Sequence, residues 1–302
     1  VLCVSGLNVG FKPLAPCVVT IPETDSSQFE ISFDNAAPDV SLTITISEKP
    51  YVERYAEKSL SKVFQDPLPM WDYYMWDTPA EASARDLYIN PDNIIDLSSK
   101  IHDGKIVWSA PQGEWTISTL YMKSTGVTNS PAVAEGTGLE VDKINKKYIS
   151  SHFDAYIGEI LRRVPAQDRT SFSTVVEDSY ETGSLNWTDD MTSVFQSTYS
   201  YNPIPYLPTL YGNVVGSVDK SDRFLWDLRR LIADRVAYDY VGGLRQQCNQ
   251  HGMKSWLENN ICFDAFYTGY VCEKQIRPIL DIMEACAAPG AIRIGRICFS
   301  QT

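Results

Sequence analysis

Ser171-Phe172-Ser173-Thr174-Val175-Val176-Glu177 is a short run rich in β-branched residues, and Met253-Lys254-Ser255-Trp256-Leu257 is a second short apolar run. Between them, Asp219 to Gln250 carries Phe224, Leu228, Leu231, Ile232, Val236, Val241, Leu244 and Cys248 on one stripe, a spacing that predicts a long amphipathic helix. Ser217 or Ser221 can cap its start, and Gly252 supplies a left-handed stop. A strand, a helical crossover and a second strand pair in parallel, so this stretch predicts an α/β layer. Upstream, Lys143 to Val164 places Ile144, Tyr148, Phe153, Tyr156, Ile157, Ile160 and Leu161 three and four apart, a second amphipathic helix ended by Pro165.

The pattern differs before about residue 125. Cys17 to Ile21, Phe29 to Phe33, Val40 to Ile46, Lys105 to Ser109 and Trp115 to Met122 are short runs rich in Val, Ile, Thr, Phe and Trp, several of them alternating apolar with polar. Turn signals at Asp103-Gly104 and Pro111-Gln112-Gly113 separate the later ones. Residues 1–125 therefore read as a β-sandwich-like domain, and 126–302 as a second domain of mixed α and β structure. The aromatic cluster Trp71-Asp72-Tyr73-Tyr74-Met75-Trp76 has no clear period and reads as a loop packed onto the sandwich.

Composition narrows the function classes. The 302 residues include 26 Lys and Arg against 38 Asp and Glu, a net charge of −12, so the field repels polyanions and a nucleic-acid partner is not expected. An apolar share of 44% is enough to bury a core. No run reaches the roughly 18 apolar residues of a membrane-spanning helix, so no membrane partner is expected either. Three histidines, His102, His152 and His251, are too few and scattered for a His-based metal site, which leaves acid–base chemistry to carboxylates. Seven cysteines lack CxxC spacing, and Cys248 on the helix stripe reads as a small core residue.

In an α/β barrel the reactive groups sit at the carboxyl ends of the strands, where the βα loops vary on a rigid scaffold. Two glutamates occupy that position. Glu181 follows the first strand, in the run Val176-Glu177-Asp178-Ser179-Tyr180-Glu181, and Glu258 follows the second, in Leu257-Glu258-Asn259. Carboxylates delivered to one rim by neighbouring strands have the geometry that glycoside hydrolysis requires; solvated rim residues are the blander reading.

The motifs around them resemble a known family. Glu135-Gly136-Thr137-Gly138-Leu139-Glu140-Val141-Asp142-Lys143 is similar to the EGTGLEVDK stretch of family 106 glycoside hydrolases, the α-L-rhamnosidases, and Asp178-Ser179-Tyr180-Glu181-Thr182-Gly183-Ser184-Leu185-Asn186-Trp187-Thr188 resembles their DSYE-x-G-x-x-NWT segment. Pro205-Tyr206-Leu207-Pro208, Gly212-Asn213-Val214-Val215, Arg223 to Arg230 and His251-Gly252-Met253-Lys254 with Trp256-Leu257-Glu258-Asn259 extend the likeness, which covers about residues 90 to 259.

The resemblance implies that 126–302 is part of a (β/α)8 barrel catalytic domain. It implies an enzyme that removes terminal α-L-rhamnose from plant glycans or glycosides by an inverting two-carboxylate mechanism, with calcium bound near the sugar hydroxyls. Carried across, Glu181 is the candidate general acid, and a flank of Tyr180 with Trp187 nearby in sequence suits a partly desolvated carboxyl of raised pKa. Glu258 is the base partner or, preferably, a carboxylate for calcium and substrate. Asp178, Glu258 and Asn259 are the oxygen donors for calcium, and Asp178, Tyr180, Trp187 and Asn259 the substrate contacts. A plant-glycan substrate implies a secreted or extracellular protein, although no signal peptide is present.

Two further expectations concern motif residues. Glu140 and Asp142 face the site or cap the helix near Lys143, and capping is preferred for Asp142. Arg223, Arg229 and Arg230 are expected to pair with Asp222, Asp227 or Asp234 along an exposed helix face. Asn186-Trp187-Thr188 is formally a glycosylation sequon, in a loop where a glycan would obstruct the site.

After Asn259 the sequence loses the Gly-Glu-Phe-Trp continuation of the family, and residues 260–302, with their cysteines and the small-residue run Ala285 to Ala291, resemble an altered reading frame. A barrel usually needs about 250 residues. The expectation is thus a truncated rhamnosidase-like chain that lacks several strands and one catalytic carboxylate. Its alternative is a non-catalytic carbohydrate-binding or vestigial protein.

Overall fold

In the computed structural model the described residues are 16, 18–33, 43–61, 78–83, 85–129, 132–177 and 185–257. The chain divides into two compact units, Val1–Thr125 with Ser184–Leu231, and Gly126–Gly183 with Ile232–Thr302.

Among the described residues of the first unit, the only paired strands are β1 (Ile101–His102) and β2 (Lys105–Ile106), an antiparallel hairpin. Asp103 and Gly104 close it with φ of 49° and 71°, the left-handed backbone that a tight hairpin turn requires. The runs expected as strands at 18–21, 29–33, 43–46 and 115–122 form no ladder, and the described residues do not make up a sandwich. Their apolar side chains are half-exposed, with Ile44 at 51% and Ile117 at 63%. β-propensity is a preference for a packed, pleated surface, and without a paired neighbour it does not by itself produce a strand. The Trp71 to Trp76 cluster and residues 40–42 lie outside the described residues.

The core of this unit is helical. It contains α1 (Tyr55–Lys58), α4 (Met191–Tyr199), a 3₁₀ segment (Ile204–Tyr211) and most of α5 (Val218–Arg235). Phe195 is fully buried at its centre, with ring centroids 4.9 Å from Tyr199, 5.1 Å from Tyr201 and 5.5 Å from Phe224. Two cations of this unit are also buried. Lys58 pairs with Asp222 at 2.7 Å, and Arg229 donates from Nη1 to the Lys58 carbonyl at 2.7 Å.

The long helix starts as expected at Ser217, whose Oγ accepts from the Lys220 N–H at 3.0 Å. Ser221 instead clamps the preceding loop: its hydroxyl donates to the Ser217 carbonyl at 2.8 Å and accepts from the Val215 N–H at 2.8 Å. The helix is not continuous. A π-helical segment (Val236–Val241) separates α5 from α6 (Gly242–Gln250). The apolar stripe is nevertheless buried from Phe224 to Cys248, with Leu244 packed at its edge, and Gly252 takes the left-handed stop at φ 68°. Of the expected arginine pairs, none to Asp222 or Asp227 forms. Arg223 pairs with Asp219 one turn back, Asp222 takes Lys58, and Asp227 accepts from the Tyr201 hydroxyl at 2.8 Å.

In the second unit the other long helix is also interrupted: α2 (Lys146–Phe153), a π-helical segment (Asp154–Gly158) and α3 (Glu159–Arg163) follow one another to Pro165. Its N-cap is Asn145, whose side chain accepts from the Lys147 N–H at 3.1 Å. Asp142 makes a local turn three residues earlier, accepting from the Ile144 N–H at 3.1 Å, so the expected capping role passes to Asn145. The wider π turn shifts the stripe: Ile149, Phe153 and Ile157 face inward while Tyr156 is 65% exposed. Phe153, Ile157, Val175, Cys248 and Met253 form one core cluster with Ile160, Leu161, Phe172 and Leu244 at its margin. That cluster joins the helices to the strands β3 (Thr174–Glu177) and β4 (Lys254–Leu257).

Candidate active site

Strands β3 and β4 pair in parallel, with Thr174 opposite Lys254, Val175 opposite Ser255, Val176 opposite Trp256 and Glu177 opposite Leu257. The two carboxyl ends are therefore level and, at the usual strand spacing, about 4.8 Å apart. Glu181 lies four residues beyond the end of β3 in sequence, and Glu258 is the residue after β4. Alternation along the strands sets two faces. Val175 and Ser255 are buried on the helix side, whereas Val176 and Trp256 are 63% and 46% exposed on the other.

Glu177 shares the parity of Val175 and is only 5% exposed. The Tyr240 hydroxyl, from the π-helical segment before α6, donates a hydrogen bond to its carboxyl group. Its Oε1 has no hydrogen-bond partner among the described residues. Burial pushes the carboxyl up to about 8, against the opposing pull of the Tyr240 hydrogen bond and the Lys143 charge. Lys143, the last residue of the EGTGLEVDK stretch, is itself 5% exposed. It forms an ion pair with Glu140 three residues before it, and its Nζ stands 5.8 Å from the centroid of the Tyr240 ring. The motif stretch, the helix layer and the end of β3 thus meet in one buried polar cluster.

Of the residues expected in the site, Asp178, Tyr180, Glu181, Glu258 and Asn259 lie outside the described residues. Trp187 is described and half-buried. Beside it, Asn186 donates from Nδ2 to the Ser59 carbonyl at 3.0 Å and Thr188 is fully buried, so the sequon nitrogen is already engaged in a packed contact. No cluster of three or more His, Cys, Asp or Glu side chains that could hold a metal ion occurs among the described residues, and the oxygen donors expected for calcium are outside them. Among the described residues no helix is long and apolar enough to cross a membrane.

Glu177 was missed by motif reading. Its signal was parity: a strand that buries Val175 buries the residue two positions on, and a glutamate there must be satisfied from the helix layer.

Comparison with known proteins identifies the lineage. Residues 17–274 match the glycoside hydrolase 106 family, described as alpha-L-rhamnosidase. The chain belongs to this family. The match is wider at both ends than the 90–259 stretch carried by the motifs, and it continues past Asn259, where the likeness was expected to stop. The structure resembles that of a rhamnosidase from Novosphingobium sp. PP1Y, with a TM-score of 0.56 and 29% identity over 69% of this chain and 20% of that one. A putative beta-glucuronidase from Formosa agariphila is 37% identical over 171 residues, 56% of this chain and 15% of that protein. This family member therefore spans a fifth or less of the length of the relatives it matches.

Proposed function

We propose that the chain is a rhamnosidase-like glycoside hydrolase that removes terminal α-L-rhamnose from plant glycans or glycosides by an inverting mechanism. The observation that carries this reading is the parallel register of β3 and β4, which brings two chain segments, each bearing a glutamate, off one edge of one layer. In this reading residues 126–302 are part of a (β/α)8 barrel, and the carboxyl edge of β3 and β4 is part of its rim.

Glu181 is the general acid. It gives its proton to the glycosidic oxygen as that bond to the anomeric carbon breaks, which requires a carboxyl that keeps its proton near neutral pH. Water attacks from the opposite face and surrenders a proton to a second carboxylate; inversion follows, because no glycosyl–enzyme bond forms. Glu258 serves as that base or, as we prefer, holds calcium and the sugar hydroxyls with Asp178 and Asn259. Tyr180 and Trp187 supply apolar contact to the sugar ring. Calcium, when bound, would orient vicinal hydroxyls, and no proton-transfer step depends on it. A substrate of this origin places the working protein outside the cell.

The test is hydrolysis of p-nitrophenyl α-L-rhamnoside with and without a chelator, beside the β-glucuronide named by one relative. Rhamnoside turnover with inverted product, abolished in Glu181→Gln, is the expected result. Rhamnose binding by folded protein without any turnover would instead establish the non-catalytic carbohydrate-binding alternative.

A further inference from the structure

A buried carboxyl oxygen without a hydrogen-bond partner costs roughly 1–3 kcal/mol, so its retention at a strand end calls for a role. Among the described residues Glu177 is such a group, yet alternation turns it toward the helix layer with Val175 and away from the exposed face of Val176 and Trp256. Its polar neighbours come from two other segments: the Tyr240 hydroxyl donates to it, and the Lys143 ammonium, paired with Glu140, acts on it electrostatically. Lys143 also stands 5.8 Å from the Tyr240 ring centroid, so the neighbours brace each other.

We propose that Glu177 is a positioning residue: held by the Tyr240 hydroxyl and drawn by the Lys143 charge, it fixes the carboxyl end of β3 against the helix layer and so sets the course on which the chain leaves the strand. A strand end held on one side only by its ladder can fray or rotate, and a displacement of about 1 Å at a reacting group costs on the order of a hundredfold in rate. The clamp removes that freedom. Its consequence for catalysis rests on the reading of Glu181 as the acid, whereas the clamp itself does not.

Three variants of the full chain test it: Glu177→Ala, Glu177→Gln and Tyr240→Phe. Hydrogen exchange at the β3 and β4 amides reads the clamp directly. Glu177→Ala and Tyr240→Phe should speed it about tenfold, while Glu177→Gln, whose carbonyl still accepts from Tyr240, should stay near the parent. Rhamnoside hydrolysis then separates positioning from direct action. Glu177→Ala should lower kcat by about tenfold or more with KM little changed, and Glu177→Gln should restore it.

Unchanged exchange in both Glu177→Ala and Tyr240→Phe overturns the clamp. So does a Glu177→Gln protein that exchanges like the parent but loses as much kcat as Glu177→Ala, since that marks a carboxyl acting on substrate. Should Glu177→Ala not fold, exchange in Tyr240→Phe against Glu177→Gln decides. Should the unsubstituted chain hydrolyse no rhamnoside, the proposed function fails, and exchange alone upholds or overturns the clamp.

Discussion

A buried ion pair in the first unit and a buried glutamate in the second are held in opposite ways. In the first, Lys58 and Asp222 face each other at 2.7 Å with side chains 3% and 10% exposed, and the Lys58 carbonyl accepts from buried Arg229. Burial holds the Lys58 ammonium below the usual lysine range despite the opposing effect of Asp222. In the second, Glu177 is as deeply buried, and among the described residues it has no ion pair, Lys143 being paired with Glu140; its carboxyl responds by keeping a proton. The contrast shows where a function can reside. A paired ion satisfies itself, while a neutralised carboxyl with a spare oxygen is held by geometry and is sensitive to whatever alters that geometry.

The largest effect expected from this contrast is at the buried pair. Asp222→Ala leaves an unpartnered buried ammonium and should cost on the order of 3–5 kcal/mol in urea unfolding, while the double variant Lys58→Met with Asp222→Leu recovers most of it. A single variant as stable as the parent would show that the pair is solvated in the working protein.

The next effect is of opposite character and is read against pH. The folded-state pKa of Glu177, about 8, lies above the ordinary carboxylate value of 4.5. The stability it confers is complete below pH 4.5 and is lost as pH rises to about 8, because the unfolded chain releases the proton first. The amplitude is on the order of a few kcal/mol. Glu177→Gln, which cannot titrate, should flatten this slope in the exchange of β3 and β4 amides, and an unchanged slope would assign it to another group.

The legibility of these features in sequence followed their physical range. The stripe from Phe224 to Cys248 and the β3–β4 crossover were readable because burial periodicity is local and repeated. The π turns at Asp154–Gly158 and Val236–Val241 were not, since no residue type demands them and a single widened turn shifts the stripe by less than a helical period. The runs at 18–21, 29–33, 43–46 and 115–122 form no ladder for a related reason: Ile44 and Ile117 carry β-propensity, but pairing depends on a partner that propensity does not name. At the candidate site, motifs led to Glu181 and Glu258, which the described residues do not include, whereas the titrating carboxyl that they do include, Glu177, is visible only through its parity with Val175.

Smaller effects sharpen the same comparison at the helix starts. In the first unit Glu81 accepts from the N–H groups of Val218 and Asp219 at 3.2 and 3.3 Å, capping α5 from outside the helix. Desolvation raises its pKa, but those hydrogen bonds outweigh it and leave the group below the ordinary value of 4.5. Its stabilisation is therefore present above that value and lost as pH falls through the lowered one, the reverse of Glu177. Glu81→Ala should cost about 0.5–1 kcal/mol at neutral pH and abolish this acid limb, as urea titrations at pH 7 and pH 3 would reveal.

The smallest expected effect tests whether exposure, and not charge, sets the scale. Arg223 and Asp219 meet at 2.9 Å, close to the separation of Lys58 and Asp222, but with side chains 76% and 53% exposed. Solvent screening and side-chain entropy should reduce the cost of Arg223→Ala to about 0.3 kcal/mol, an order of magnitude below Asp222→Ala. If urea unfolding found the two variants equally destabilised, burial could not be what distinguishes the pairs. Burial could then not account for the raised titration of Glu177 either.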